Sequence, residues 1–204
     1  MSLVLALVLA CSGPREGSEL ALPQRLALEG VELRLPGPGL VLRAAHAQTP
    51  GDEPGRGEAS QVVAELGQGP GLSIVSEHAS WDLREHNVVF EGDVAAVRGA
   101  FTLQCQRLEA SFDSPEQLSR AVASGDVSVS HRGRIATGQR AVLDVPSGRL
   151  ELEGEPSVTE GARRLQGERI VLFLDDERLE CDRCSLAIGE SEALPGADPG
   201  AGSP

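Results

Sequence analysis

The chain has no lysine, no tyrosine, a single methionine, a single tryptophan and four phenylalanines in 204 residues. With aromatics at only 2%, a core cannot be organised around rings, so Leu, Val, Ala and Ile must supply it. The 18 basic residues are all arginines, and 31 acids outnumber them to give a net charge of −13. That is the wrong sign for gripping phosphate backbones and argues against nucleic acid as a partner. It also keeps a β-rich chain soluble. No apolar run approaches the roughly 20 residues a membrane-crossing helix needs. There is no His-x-His and no Gly-x-Ser-x-Gly, and the histidines at 46, 78, 86 and 131 are scattered. Glu151, Glu153 and Glu155 alternate along a solvent face instead of converging on a cleft. The reading is therefore no enzyme, no catalytic residues, no metal and no cofactor.

What is present falls into four stretches. Residues 1–18 read as a leader and tether: the apolar run Leu3–Ala10 suits the core of an export signal. Val8-Leu9-Ala10-Cys11 is similar to a bacterial lipobox, which makes Cys11 a lipidation site and the N-terminus a membrane anchor. A clipped transmembrane anchor or a plain secretory signal fits the same run, and each of the three exports the chain. Residues 19–71 hold two alternating stretches, Leu26–Leu35 and Leu40–Ala45, parted by the turn-forming PGPG at 36–39. From Gln48 to Gly71 the composition shifts to Gly, Pro, Asp and Glu, which reads as a loop of low order. Residues 72–188 are a repeating block, and 189–204 an acidic, Gly- and Pro-rich tail expected to be disordered.

The repeat is the strongest signal. VVFEGDVAAVRG at 88–99, AVASGDVSVSHRG at 121–133 and LELEGEPSVTEG at 150–161 say nearly the same thing. Gly92, Gly125 and Gly154 each follow an alternating stretch, and Arg107, Arg140 and Arg169 each lie fifteen residues beyond. Between them fall turn glycines at Gly99, Gly133 and Gly161. The hydrophobic period is two, as in Leu150 and Leu152 against Glu151 and Glu153, so the units are strands. Glycine turns join them into an antiparallel meander, and no ten-residue helical pattern interrupts it. The glycine heading each unit marks a bulge or bend, where a strand turns a corner of a folded-over sheet. Because one face of every strand is apolar, the sheet must close on itself as an all-β sandwich or roll.

VVFEGDVAAVRGAFTLQCQRLEASFD at 88–113 resembles the core segment of the LptA/OstA-like family of periplasmic lipopolysaccharide transport proteins. GRIATGQRAVLDVPSGRLELEGEPSVTEGARRLQGERIVLFLD at 133–175 repeats that family's rhythm in order. The stretch LEGVELRLPGPGLVLRAAHA is similar to the related, membrane-anchored LptC branch. The resemblance implies an antiparallel, twisted, open-ended β-jelly roll in the periplasm whose interior receives lipopolysaccharide acyl chains. It also implies that rolls stack through their edge strands into a bridge between the membranes. Residues assigned to the inside are Phe90, Val94, Phe101, Leu103, Leu108, Ala110, Val127, Val129, Ile135, Leu143, Leu152, Val158, Leu165, Ile170 and Leu172. Taken singly, each is ordinary core packing; only as a set do they make a lipid-binding lining. The other reading is an exported structural roll with a filled core and no cargo.

Three features stand beside that lining. Cys181-Asp182-Arg183-Cys184 is a CxxC without a second pair for zinc. On a continuous strand its cysteines point to opposite faces at about 10 Å, out of disulfide reach, which leaves Cys105 pairing with one of them, or free thiols. Arg107, Arg140 and Arg169 read as partners for the many glutamates, with contact to lipid phosphates at a rim as the alternative. Trp81 aligns with Leu143 in the internal echo and reads as packing near the mouth of the roll.

Overall fold

The computed structural model describes residues 25–35, 39–50, 53, 55–67, 71–114, 117–176 and 178–189. The Cys11 leader and the tail beyond 189 lie outside the described residues. The strands are β1 (Arg25–Leu35), β2 (Leu40–Pro50), β3 (Arg56–Leu66), β4 (Leu72–Asp82), β5 (Asn87–Arg98), β6 (Phe101–Ser114) and β7 (Gln117–His131). They continue as β8 (Arg134–Asp144), β9 (Arg149–Glu153), β10 (Ser157–Glu160), β11 (Arg163–Gln166), β12 (Arg169–Phe173), β13 (Leu179–Asp182) and β14 (Ser185–Ile188). All belong to one antiparallel sheet. Consecutive strands pair from β1 to β8, after which the sheet forks into β10–β11–β14 and β9–β12–β13.

The fork exposes how the roll is made. β9 and β10 form one bent strand interrupted at Gly154–Pro156, where proline has no N–H for the ladder. β11 and β12 are likewise broken at 167–168, and β13 and β14 at 183–184. The longer strands bend at the same level without breaking. On β5 the pair Gly92-Asp93 stands opposite the single Gln106, and on β7 Gly125-Asp126 stands opposite Gln139. These are bulges of one extra residue whose first member is a glycine in the left-handed region. Backbone with positive φ recurs at Gly30, Gln61, Gly92, Gly125, Gly154 and Arg183. A fold line thus crosses the whole sheet and divides it into two facing limbs. Limb A carries the turns at 99–100, 132–133 and 161–162; limb B carries those at 83–86 and 145–148.

The repeat runs further than the sequence pattern suggests. The segment Gln48–Gly71, expected as a disordered loop, contains the 11-residue strand β3, paired on both sides. Its bend sits at Gln61 where later units have glycine, and no arginine follows fifteen residues on, so the motif is unreadable although the geometry is kept. β1 to β3 are therefore part of the same sheet as the block that follows.

Directly opposed residues share a face, and the register places an unbroken apolar row on the inner face of each limb. On limb A it runs Leu33, Leu42, Ala64, Ile74, Ala96, Leu103, Val129, Ala136, Val158, Leu165, Leu186. On limb B it runs Leu28, Ala47, Ala59, Ala79, Phe90, Leu108, Ala123, Ala141, Leu152, Ile170, Cys181. With about 4.8 Å between strands, each row extends roughly 50 Å.

Candidate functional site

The candidate site is the space between these two rows. Phe90, Val94, Leu103, Leu108, Ala110, Val127, Val129, Leu152, Val158, Ile170 and Leu172 are all buried. Phe101 and Leu143 are partly buried and pack against that core. Leu165 is half-buried on β11, and beyond it Leu186 on β14 is 59% exposed, because the row reaches the end of the sheet there. Ile135, assigned to the interior, is on the outside at 50% exposure. The register explains the correction: Ala136 sits opposite both Val129 and Val158, so it takes the inward place and its neighbour must face solvent.

The sequence reading also missed the part of the lining contributed by β2 to β4, including Leu40, Leu42, Val62 and Ile74, and Val88 at the start of β5. A period-two signal was present in LVLRAAHA, but alanines hold many inward places and gave little contrast with the polar face. Trp81 lies on limb B's inner face, opposite Gly57 and Val88. Gly57 has no room for a side chain: a Cβ there would stand 2.2 Å from the indole.

The outer face carries exposed Val63, Val75, Val97 and Ile135 on limb A and ordered ion pairs along the fold line. Along the fold line the register sets Glu91 against Arg107, and Arg140 against Glu153, which Arg169 flanks on the other side. The Arg107 guanidinium donates to Glu91, Arg140 to Glu153 at 2.9 Å, and Arg169 to Glu151. The recurring arginines are thus carboxylate partners on the convex spine, not lining. Glu151 accepts from Arg169 and lies 2.8 Å from Arg149, and together they hold its carboxyl below the usual carboxylate range.

The cysteines depart from expectation. Cys181 and Cys184 form a disulfide, with Cα atoms 6.0 Å apart, and buried Cys105 is free. The strand does not continue through the CxxC. It bends at Arg183, in the left-handed region, which brings together two residues that a straight strand would hold apart. The bridge clamps the fold line at the terminal edge, and Gly167 packs beneath it, where a Cβ would meet Cys181 Sγ at 2.7 Å. Burial pushes the Cys105 thiol up to about 11, leaving it unreactive at neutral pH.

The interior is closely packed. Where the limbs meet on the open side, a small cavity of about 50 Å³ touches the core residues Val129, Ala136 and Leu172. Of two larger depressions, the one of about 410 Å³ around Arg56, Trp81 and Asp82 has a mainly apolar wall, and the one of about 430 Å³ around His46, His78 and Glu91 has a mixed one. Among the described residues no group of three or more His, Cys, Asp or Glu is placed to hold a metal ion.

A family profile described as LptA/(LptD N-terminal domain) LPS transport protein matches residues 73–178. The fold is similar to the crystal structure of LptH, the LptA-homologous periplasmic component of the lipopolysaccharide transport device of Pseudomonas aeruginosa. That likeness has a TM-score of 0.54 at 16% identity and covers 57% of this chain and 94% of that one. No curated protein sequence matches the chain.

Proposed function

The chain belongs to the LptA/LptD N-terminal-domain family of lipopolysaccharide transport proteins, and from that premise we propose that it shields lipid acyl chains between its two limbs as they cross the periplasm. The observation that carries this reading is the pair of continuous apolar rows, which run from one sheet edge to the other without a polar interruption. Each methylene kept out of water is worth about 0.8 kcal/mol, so a chain of about twelve carbons gains on the order of 10 kcal/mol between the rows. No such lipid crosses water unaided at a useful rate. Among the described residues no strand ladder joins the limbs on the open side; β10, β11 and β14 pair only within limb A, and β9, β12 and β13 only within limb B. Side-chain contact alone closes the seam there, and an entering chain parts it. A lining of small and branched aliphatics binds without a deep specific pocket, which lets cargo leave again.

The two ends of the sheet support stacking. β1 pairs only with β2, β13 only with β12, and β14 only with β11, so among the described residues each presents an unpaired edge. Leu26 on β1, and Leu186 and Ile188 on β14, are exposed there. Strand addition at such edges extends the apolar rows from one roll into the next and builds the bridge between membranes. The LptC-like start, the periplasmic location and an anchor through acylated Cys11 belong to the same proposal.

A photo-crosslinking amino acid at Leu152 or Leu103 tests it, with Ile135 as the outward control. Lipopolysaccharide adducts are expected from the two inner positions and not from Ile135. Equal labelling at all three, or none at the inner pair in a folded protein, refutes the conduit. The second outcome returns the roll to the structural reading that its close packing also fits.

A further inference from the structure

Two residues beyond the apolar row of limb A, towards its turns, the register sets Arg98, Phe101, His131, Arg134, Glu160 and Arg163 in line across β5 to β11. Alternation puts this row on the inward face, at the lip of the open side. Three arginines and a histidine stand there against one glutamate, which Arg134 holds at 2.9 Å, in a chain whose net charge is −13. The corresponding lip of limb B is apolar: Ala110, Ala121, Leu143, Leu150 and Leu172 follow one another in register. The two lips of one opening therefore differ in kind, cationic on one side and aliphatic on the other.

His131 gives the cationic lip its focus. It lines the cavity at the seam together with Arg134 and with Arg178, whose guanidinium lies 3.9 Å over the Phe173 ring. Both imidazole nitrogens are shut from solvent, and no protein group bonds either one. An unmatched buried polar group is a standing cost in a folded protein, and here it sits beside guanidinium groups at the door of an apolar interior.

We propose that this lip is a subsite for the phosphate-type anionic headgroup of an amphiphile, with His131 donating to the anion and Arg98, Arg134 and Arg163 supplying the charge. The tail lies along the apolar rows while the head stays at limb A's lip, so the cargo travels in one orientation. The inference rests on the conduit reading and adds to it a recognition element that aliphatic lining cannot provide. Arginine suits the task because its planar fork pairs bidentately with phosphate oxygens.

The test measures binding of the full chain to phosphorylated lipid A, to the same lipid dephosphorylated, and to inorganic phosphate. The wild type is expected to favour the phosphorylated lipid tenfold or more. His131→Leu, and separately Arg98→Gln with Arg163→Gln at exposed strand ends, bring that ratio to within about twofold of one and leave binding of the dephosphorylated lipid intact. Thermal melting of each variant checks that the roll still forms. A wild-type ratio near one, or a ratio that survives both variants, overturns the subsite while the conduit stands. Failure of both lipids to bind overturns the conduit and the subsite with it. Inorganic phosphate binding as tightly as the phosphorylated lipid overturns the lipid assignment in favour of the free anion.

Discussion

Replacing Gly125 by alanine tests whether the fold line is built by close approach or only by backbone conformation. Gly125 has φ +77°, and a Cβ placed there would stand 2.8 Å from the Cβ of Gln106, an atom fixed by β6 itself. The left-handed conformation costs an alanine about 1–2 kcal/mol. Relieving the contact requires a shift of strand backbone, an overpacking cost of roughly 1–3 kcal/mol more. Gly133 is the matched control, since its φ is +84° but nothing lies within 4 Å of its would-be Cβ. The expectation is a loss of about 2–5 kcal/mol for Gly125→Ala against about 1–2 kcal/mol for Gly133→Ala. Urea unfolding followed by far-UV circular dichroism and by the fluorescence of Trp81, 6% exposed, reads both. With a slope of about 1–3 kcal/mol per molar, the two midpoints separate by roughly a third of a molar or more. Coincident midpoints refute the corner-packing account and leave backbone conformation as the whole role of the glycine.

Two further perturbations probe the edge and the spine. Cys184→Ser releases the terminal corner; for so short a loop the chain-entropy contribution is about 2 kcal/mol, and the effect falls on β13 and β14. Amide exchange at 185–188 should speed up roughly tenfold or more with little change elsewhere, and unchanged protection there counts against the clamp. Glu151→Gln removes a carboxylate whose folded pKa is lowered, first by the Arg169 hydrogen bond and then by Arg149. A depressed carboxylate stabilises above its unfolded pKa, near 4.3, and that contribution disappears as pH falls through the folded value. The variant should be less stable than the wild type by about 1 kcal/mol at pH 7. The difference should close below pH 4, and a gap that is constant from pH 7 to pH 3 contradicts this pairing.

The glycine-headed units were readable because the geometry they serve admits few residues: a left-handed bulge against a neighbouring strand asks for Gly followed by Asp or Glu at 92, 125 and 154. The same corner at Gln61 was unreadable, since its backbone is held by strands on both sides without that signature. The CxxC was misread for a related reason. Its disulfide depends on a bend between 182 and 185, and local alternation cannot announce where a strand stops being straight. Ile135 went wrong because period-two patterning gives two faces and not which of them is inside.

By itself the sequence settled that the repeating block is built of antiparallel strands, and it favoured pairing of the surplus glutamates with the recurring arginines over contact with lipid phosphates. These follow from alternation, turn residues and charge, all of which act over a few neighbours. Tertiary structure alone decided that the repeat extends through β1 to β3, which lip of the opening is cationic, and that His131 faces the seam without a bonding partner. Those properties belong to the register between neighbouring strands and to the meeting of two limbs, where a one-residue shift exchanges inside for outside.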